Sequence, residues 1–210
     1  MSIKRVTIES DYPLEGILRS GSKHLGTVIC HPHPLYGGSM VNNVVDAIEE
    51  GFSSIGYTTL RFNFRGVGRS LGTYDEGIGE VTDLIASTAL LKGHLAEDAT
   101  IILAGYSFGA WICSQAHRRI EGVDGLFLVA YPFSIYSVDE LKGFKGKVFF
   151  IGGRYDDISP MDQLLKTYQE LPQAEKSIKI IPTDHLFYGR EGEIKDFIIE
   201  ALGACAQRKG

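Results

Sequence analysis

The sequence predicts an α/β fold, a mostly parallel sheet covered by helices on both faces. Three observations predict it. Short β-branched or aliphatic runs alternate along the chain with longer segments of helical periodicity. The connections between successive runs are long enough for right-handed crossovers. The 210 residues, 44% of them hydrophobic, suffice for one sizeable core, so a single domain spanning 1–210 is expected.

Each element has its local reason. The runs 3–9 and 14–19 are joined by the turn-rich Ser10-Asp11-Tyr12-Pro13, which predicts an antiparallel hairpin at one edge of the sheet. Apolar strands then follow at 26–30, 58–63, 100–104, 126–130, 147–151 and 178–181. Helical periodicity fills the intervals at 42–55, 79–91, 108–119, 161–170 and 193–204. No internal repeat is present.

Composition excludes several functions. The net charge is −5, with 21 basic residues scattered among 26 acidic ones, whereas nucleic-acid or anionic-membrane binding needs clustered Lys and Arg. Cys30, Cys113 and Cys205 form no paired framework and no CxxC spacing, as suits a reducing compartment. Charges at Lys4 and Arg5 stand where a signal peptide would need an apolar core, and no stretch reaches membrane-span length. A soluble, cytoplasmic protein, monomer or homodimer, is expected.

In open sheets of this kind, ligand sites gather at the carboxyl ends of the strands, and the unusual residues lie there. After the third run comes Cys30-His31-Pro32-His33-Pro34-Leu35-Tyr36-Gly37-Gly38-Ser39. Its two histidines lack the further ligands that a metal site needs, so no metal is expected. Pro32 and Pro34 stiffen the path and cannot donate, which leaves the amides of His33, Leu35, Tyr36 and the glycines to hold an anion. After the fourth run, Gly66-Val67-Gly68 begins a partial dinucleotide fingerprint, but Leu71 replaces its third glycine and the unit sits in mid-chain; no cofactor is expected. Arg65 is expected to brace neighbouring loops through its planar fork of donors.

The fifth run leads into Gly105-Tyr106-Ser107-Phe108-Gly109 and a helix. A strand that reverses abruptly into a helix has no room for side chains at the two glycine positions, and the turn lifts the serine between them. A serine hydroxyl is a weak nucleophile, so a catalytic reading requires a base within reach and an acid to orient it. Asp156 and Asp157 follow the seventh run and His185 follows the eighth, each at a strand's carboxyl end. One aspartate can serve the histidine while the other caps the helix near Pro160.

These segments carry a resemblance. His31 to Met40, Arg61-Phe62-Asn63-Phe64-Arg65-Gly66-Val67-Gly68 with Ser70, Asp75-Glu76-Gly77-Ile78-Gly79-Glu80, and Gly105 to Ala110 are similar to the motifs of a small bacterial branch of the α/β-hydrolase family, lidless hydrolases related to dienelactone hydrolases. The resemblance covers nearly the whole chain. It implies an α/β-hydrolase fold of about eight strands, with the hairpin at one edge and a minimal or absent cap. It also implies Ser107 as nucleophile, His185 as base and Asp156, four residues before Pro160, as acid. True dienelactone hydrolases use a cysteine nucleophile, so the serine here argues against a lactone substrate.

On that reading the oxyanion is held by the amide of Phe108, at the start of its helix, and by one amide of the loop after the third strand. Leu35 is the first choice, with Tyr36 and His33 behind it. The segment 131–146 is too short for a helical cap, which leaves an open cleft. Its walls are expected to include Leu35, Tyr36, Tyr106, Tyr131, Phe133, Tyr136 and Leu186. The expected partner is a small-molecule ester of short acyl chain. Thioesterase, lactonase and peptidase chemistry on the same triad are the rivals, together with a ligand-binding module without catalysis.

Overall fold

The computed structural model describes residues 2–173 and 175–206, the last three by backbone only, so the thiol of Cys205 lies outside the described residues. Eight strands form one sheet: β1 (Ile3–Ile8), β2 (Leu14–Arg19), β3 (Leu25–Cys30), β4 (Thr58–Phe62), β5 (Thr100–Tyr106), β6 (Gly125–Val129), β7 (Lys147–Gly153) and β8 (Lys176–Ile181). Their order across the sheet is β1-β2-β4-β3-β5-β6-β7-β8. The expected hairpin makes the edge, with β1 antiparallel to β2 and β2 antiparallel to β4, and every later pairing is parallel.

The helices are α1 (Asn43–Ser54), α2 (Ile78–Lys92), α3 (Phe108–Ala116), α4 (Asp139–Lys142), α5 (Met161–Glu170) and α6 (Glu191–Ala206). They divide between the two faces, and the strands sort their side chains accordingly. Ile102 and Ala104 of β5, Phe127 and Val129 of β6, and Phe149 and Ile151 of β7 join Ile48 and Phe52 of α1 and Ile194 and Ile198 of α6 in one cluster. The alternate residues Ile101, Leu103, Leu126, Leu128, Val148 and Phe150 join Leu84 of α2, Ile112 of α3 and Leu164 of α5 in the other. Period-2 alternation between two buried faces explains why these strands read as continuous apolar runs. Among the described residues no helix is long and apolar enough to cross a membrane.

Some boundaries differ from the sequence expectation. β5 and β7 each extend two residues further, because Gly105 pairs with Cys30 and Leu128, and Gly152 and Gly153 pair with Ile180 and Ile181. Glycines that resemble turn markers are here the last rungs of the ladder. The predicted helix over 108–119 gives way after Ala116 to a 3-10 turn, His117–Arg119. The short α4 has too few residues to show a period. Arg65 braces as expected: its buried guanidinium grips Asp83 of α2 at 2.8 Å and reaches Asp11 of the hairpin turn at 3.3 Å.

A close main-chain contact joins the β5–α3 turn to the end of β3. A Cβ on Gly105 would fall 2.3 Å from the Gly109 carbonyl oxygen, and one on Gly109 would fall 2.4 Å from that of Cys30. Both neighbours are backbone and cannot rotate away. Gly105→Ala and Gly109→Ala are each expected to cost about 2–3 kcal/mol in urea denaturation, a typical overpacking penalty. Gly192→Ala, where an added Cβ meets nothing within 4 Å, is expected to be neutral or slightly stabilising.

Candidate active site

Ser107 occupies the bend between β5 and α3 with φ of 54° and ψ of −118°. A non-glycine residue held in this region costs about 1–3 kcal/mol and persists only when its surroundings enforce it. Here the Ser107 amide donates to Val129 O at 2.8 Å, and its carbonyl accepts from Ala110 and Trp111. The bend directs Oγ to His185 Nε2, 2.9 Å away.

His185 follows β8 on a loop held from several sides. The hydroxyl of buried Tyr106 donates to the His185 carbonyl at 2.7 Å, and the Leu186 amide donates to Asp184 Oδ1 at 3.0 Å. Nδ1 of His185 lies 2.7 Å from Asp156 Oδ2. An ionised carboxylate only accepts, so Nδ1 carries the proton and Nε2 is left to accept from the Ser107 hydroxyl. The other carboxylate oxygen, Oδ1, accepts from the amides of Ile158 and Ser159 at 2.9 and 2.8 Å. Asp156 therefore both organises the turn before α5 and holds His185, two tasks that the sequence divides between neighbouring aspartates. Asp157 is exposed, and α5 starts after Pro160 with no side-chain cap.

The loop after β3 is built on His31. Its ring is fully buried, with Nδ1 at 2.6 Å from Pro32 O and Nε2 accepting the Phe64 amide at 3.1 Å. Only the neutral ring protonated on Nδ1 satisfies both contacts. With both nitrogens engaged, His31 has none to spare for a metal. The Pro32–His33 peptide is trans, so with its carbonyl turned to His31 its N–H points the opposite way.

The expectation that Leu35 supplies the anion-binding amide is corrected. Pro34–Tyr36 form a 3-10 turn capped by His33, whose Nδ1 takes the Leu35 amide at 3.2 Å, and the Leu35 side chain is 66% exposed and outside the cleft. Tyr36 and Gly38 donate to His33 O. Among the described hydrogen bonds, the amides of His33 and Phe108 have no acceptor, and both residues line the cleft beside Ser107. Proline on either side of His33 is the sequence signal for it: Pro34 starts the turn that consumes the next amides and leaves this one over.

The cleft has a volume of about 390 Å³. Tyr36, Tyr106, Tyr136 and Leu186 line it as expected, Tyr106 mostly buried. Tyr131 does not, and its placement on the wall is corrected: it is buried in the core with its hydroxyl 2.6 Å from Ser137 O, a bond that leads the ring away from solvent. Phe133 likewise packs against the core. Ile135, Ile158 and Tyr188 complete the wall. The last two lie two and three residues after Asp156 and His185, and that proximity could have identified them. Among the described residues, no Lys, Arg, Asp or Glu lines the cleft.

Comparisons with known proteins agree with this architecture. Residues 87–198 match the model of the alpha/beta hydrolase family. The uncharacterized protein RP471 of Rickettsia prowazekii (strain Madrid E) is 32% identical over 189 residues, which cover 82% of this chain and 77% of that one. The structure of an alpha-beta serine hydrolase homologue from Coxiella burnetii superposes with a TM-score of 0.87 at 32% identity, covering 96% of this chain and 98% of that one. XC6422 from Xanthomonas campestris, a serine hydrolase without a lid, superposes with a TM-score of 0.87 at 25% identity over 98% and 95% of the two chains.

His31 gives the fold a pH dependence. Burial lowers its pKa from 6.5 to about 4, against the opposing pull of the Pro32 carbonyl. In the unfolded chain the ring takes up a proton below about 6.5, whereas the folded one resists until about 4, so stability falls as pH drops through that window. The expected loss between pH 7 and pH 4 is about 3 kcal/mol. Urea denaturation across this range measures it, and His31→Gln is expected to remove this part of the slope.

Proposed function

Because the chain belongs to the alpha/beta hydrolase family, we propose that it is a serine hydrolase acting on small, neutral carboxylic esters through Ser107, His185 and Asp156. The observation that carries this reading is the continuous hydrogen-bonded chain from the Ser107 hydroxyl through His185 to Asp156, at 2.9 and 2.7 Å. His185 takes the hydroxyl proton as Oγ attacks the acyl carbon, and Asp156 stabilises the imidazolium. The amides of His33 and Phe108 hold the oxyanion, and neither has another bond to give up. His185 then protonates the departing alcohol. Water, deprotonated by the same imidazole, attacks the acyl-enzyme and releases the acid.

The uncharged lining supports the choice of substrate. An anionic lactone or a carboxylate-bearing acyl group would lose hydration on entry and find no counter-charge. A neutral ester loses little. At about 390 Å³ the cleft is at the small end of the range for ligand sites, which favours short chains.

A fluorophosphonate probe is expected to label Ser107, and Ser107→Ala to abolish labelling. Failure of the folded protein to label removes the proposal. Asp156→Asn is expected to lower kcat about a thousandfold or more with little change in KM, because the wrong tautomer then faces Ser107. With p-nitrophenyl esters from acetate to laurate, kcat/KM is expected to peak at the short end, and a steady rise with chain length would contradict the small cleft.

A further inference from the structure

On one side of Ser107 the cleft wall is a connected set of rings. His33 lies 4.7 Å from Tyr36 and 4.8 Å from Phe108, between ring centroids. Phe108 in turn lies 6.3 Å from Tyr136 and 5.5 Å from Trp111. Tyr136 and Trp111 are stacked, with centroids 3.9 Å apart and planes inclined by only 8°. Tyr136 belongs to the cleft lining and Trp111 backs it from α3.

This stack is held in place. The main chain of Gly77 presses on the indole so closely that a Cβ there would fall 2.4 Å from Trp111 Cζ3. The Tyr136 amide donates to Pro132 O at 3.1 Å, and the buried Tyr131 hydroxyl ties down Ser137, the next residue along. A surface aromatic stacked, backed and tethered in this way has lost its rotamer freedom before any ligand arrives, so a guest ring does not have to immobilise it.

We propose that the Tyr136–Trp111 stack is a subsite for a planar aromatic group, so that the substrates of this cleft are neutral esters carrying an aryl ring on the acyl or alcohol side. The proposal rests on the serine-hydrolase reading and adds its substrate class. Offset or edge-on ring contacts favour an aromatic guest over a saturated ring of similar size by about tenfold. Among the described residues no Lys, Arg, Asp or Glu lines the cleft, so none of them supplies an ionic recognition mode here.

The test compares matched pairs: methyl phenylacetate against methyl cyclohexylacetate for the acyl side, and benzyl acetate against cyclohexylmethyl acetate for the alcohol side. The methylene in each insulates the ester from the ring's electronic effect. An aryl preference of about tenfold in kcat/KM in one pair is expected, and that pair identifies the arm. Tyr136→Leu is expected to bring the ratio near one, whereas Tyr136→Phe keeps it. Equal rates within both pairs, or a preference that survives Tyr136→Leu, overturns the proposal.

Binding can be followed without turnover. Trp111 is the only tryptophan in the chain, so its fluorescence reports directly on the stack. In Ser107→Ala, phenylacetamide is expected to change that emission saturably and cyclohexylacetamide to do so only at about tenfold higher concentration. A fluorescence response in a protein that fails to label with fluorophosphonate sinks the serine reading alone. Labelling without an aryl-selective response sinks the subsite alone.

Discussion

The site depends on one close contact between main-chain segments. Gly109, in the first turn of α3, lies against the carbonyls of Cys30 and His31 at the end of β3, and Gly105 lies against the Gly109 carbonyl. With no side chain between them, the helix start, the strand end and the loop after β3 meet at backbone distance. This approach accompanies the positive-φ bend at Ser107 and places Phe108, like His33, on the wall of the cleft with its amide unpartnered among the described hydrogen bonds. A methyl group at either glycine would separate them. The strain at Ser107 is sustained by the parallel strands around it, each buried on both faces.

Around that contact, polar groups are tied in short relays with little freedom. Asp156 divides its two oxygens between the turn before α5 and His185. His185 is fixed at its carbonyl by Tyr106 and at its ring by Asp156. His31 divides its nitrogens between Pro32 and Phe64, joining the loop after β3 to the end of β4. Buried groups satisfied in this way have one hydrogen-bonding arrangement, and a wrong tautomer leaves a donor facing a donor. The geometry at Ser107 is thus inherited from three strand ends, with no contribution from a lid.

The cleft has a different character from its foundations. Beneath it lie histidines and a carboxylate; among the described residues its walls carry rings, aliphatic side chains and Asn42, with no Lys, Arg, Asp or Glu. The wall of His33, Phe108, Tyr136 and Trp111 is a continuation of the core of the α3 face, where Phe108 packs among Phe64, Tyr74 and Trp111. Chemistry and recognition therefore rest on the same helix: its first residue lies beside the nucleophile, and its fourth backs the stack.

The sequence by itself determined the sheet and the hairpin edge, and it placed Ser107, His185 and the pair Asp156-Asp157 after strand ends, because short apolar runs, turn residues and the spacing of glycines around a serine are local signals; the choice of Asp156 over Asp157 came from the family resemblance. It reached no further where one residue's neighbour decides its use. Leu35 and His33 both offer an amide in the sequence. Only the turn started by Pro34 and capped by the His33 ring reveals that Leu35 is occupied and His33 is not. Tyr131 and Tyr136 are equally aromatic and five positions apart in one loop, yet one hydroxyl is drawn into the core by Ser137 while the other ring is laid flat on Trp111 of α3. Hydrogen-bond competition inside a loop and the stacking of Tyr136 on the distant Trp111 are pairwise events in space, and the tertiary structure alone settled them.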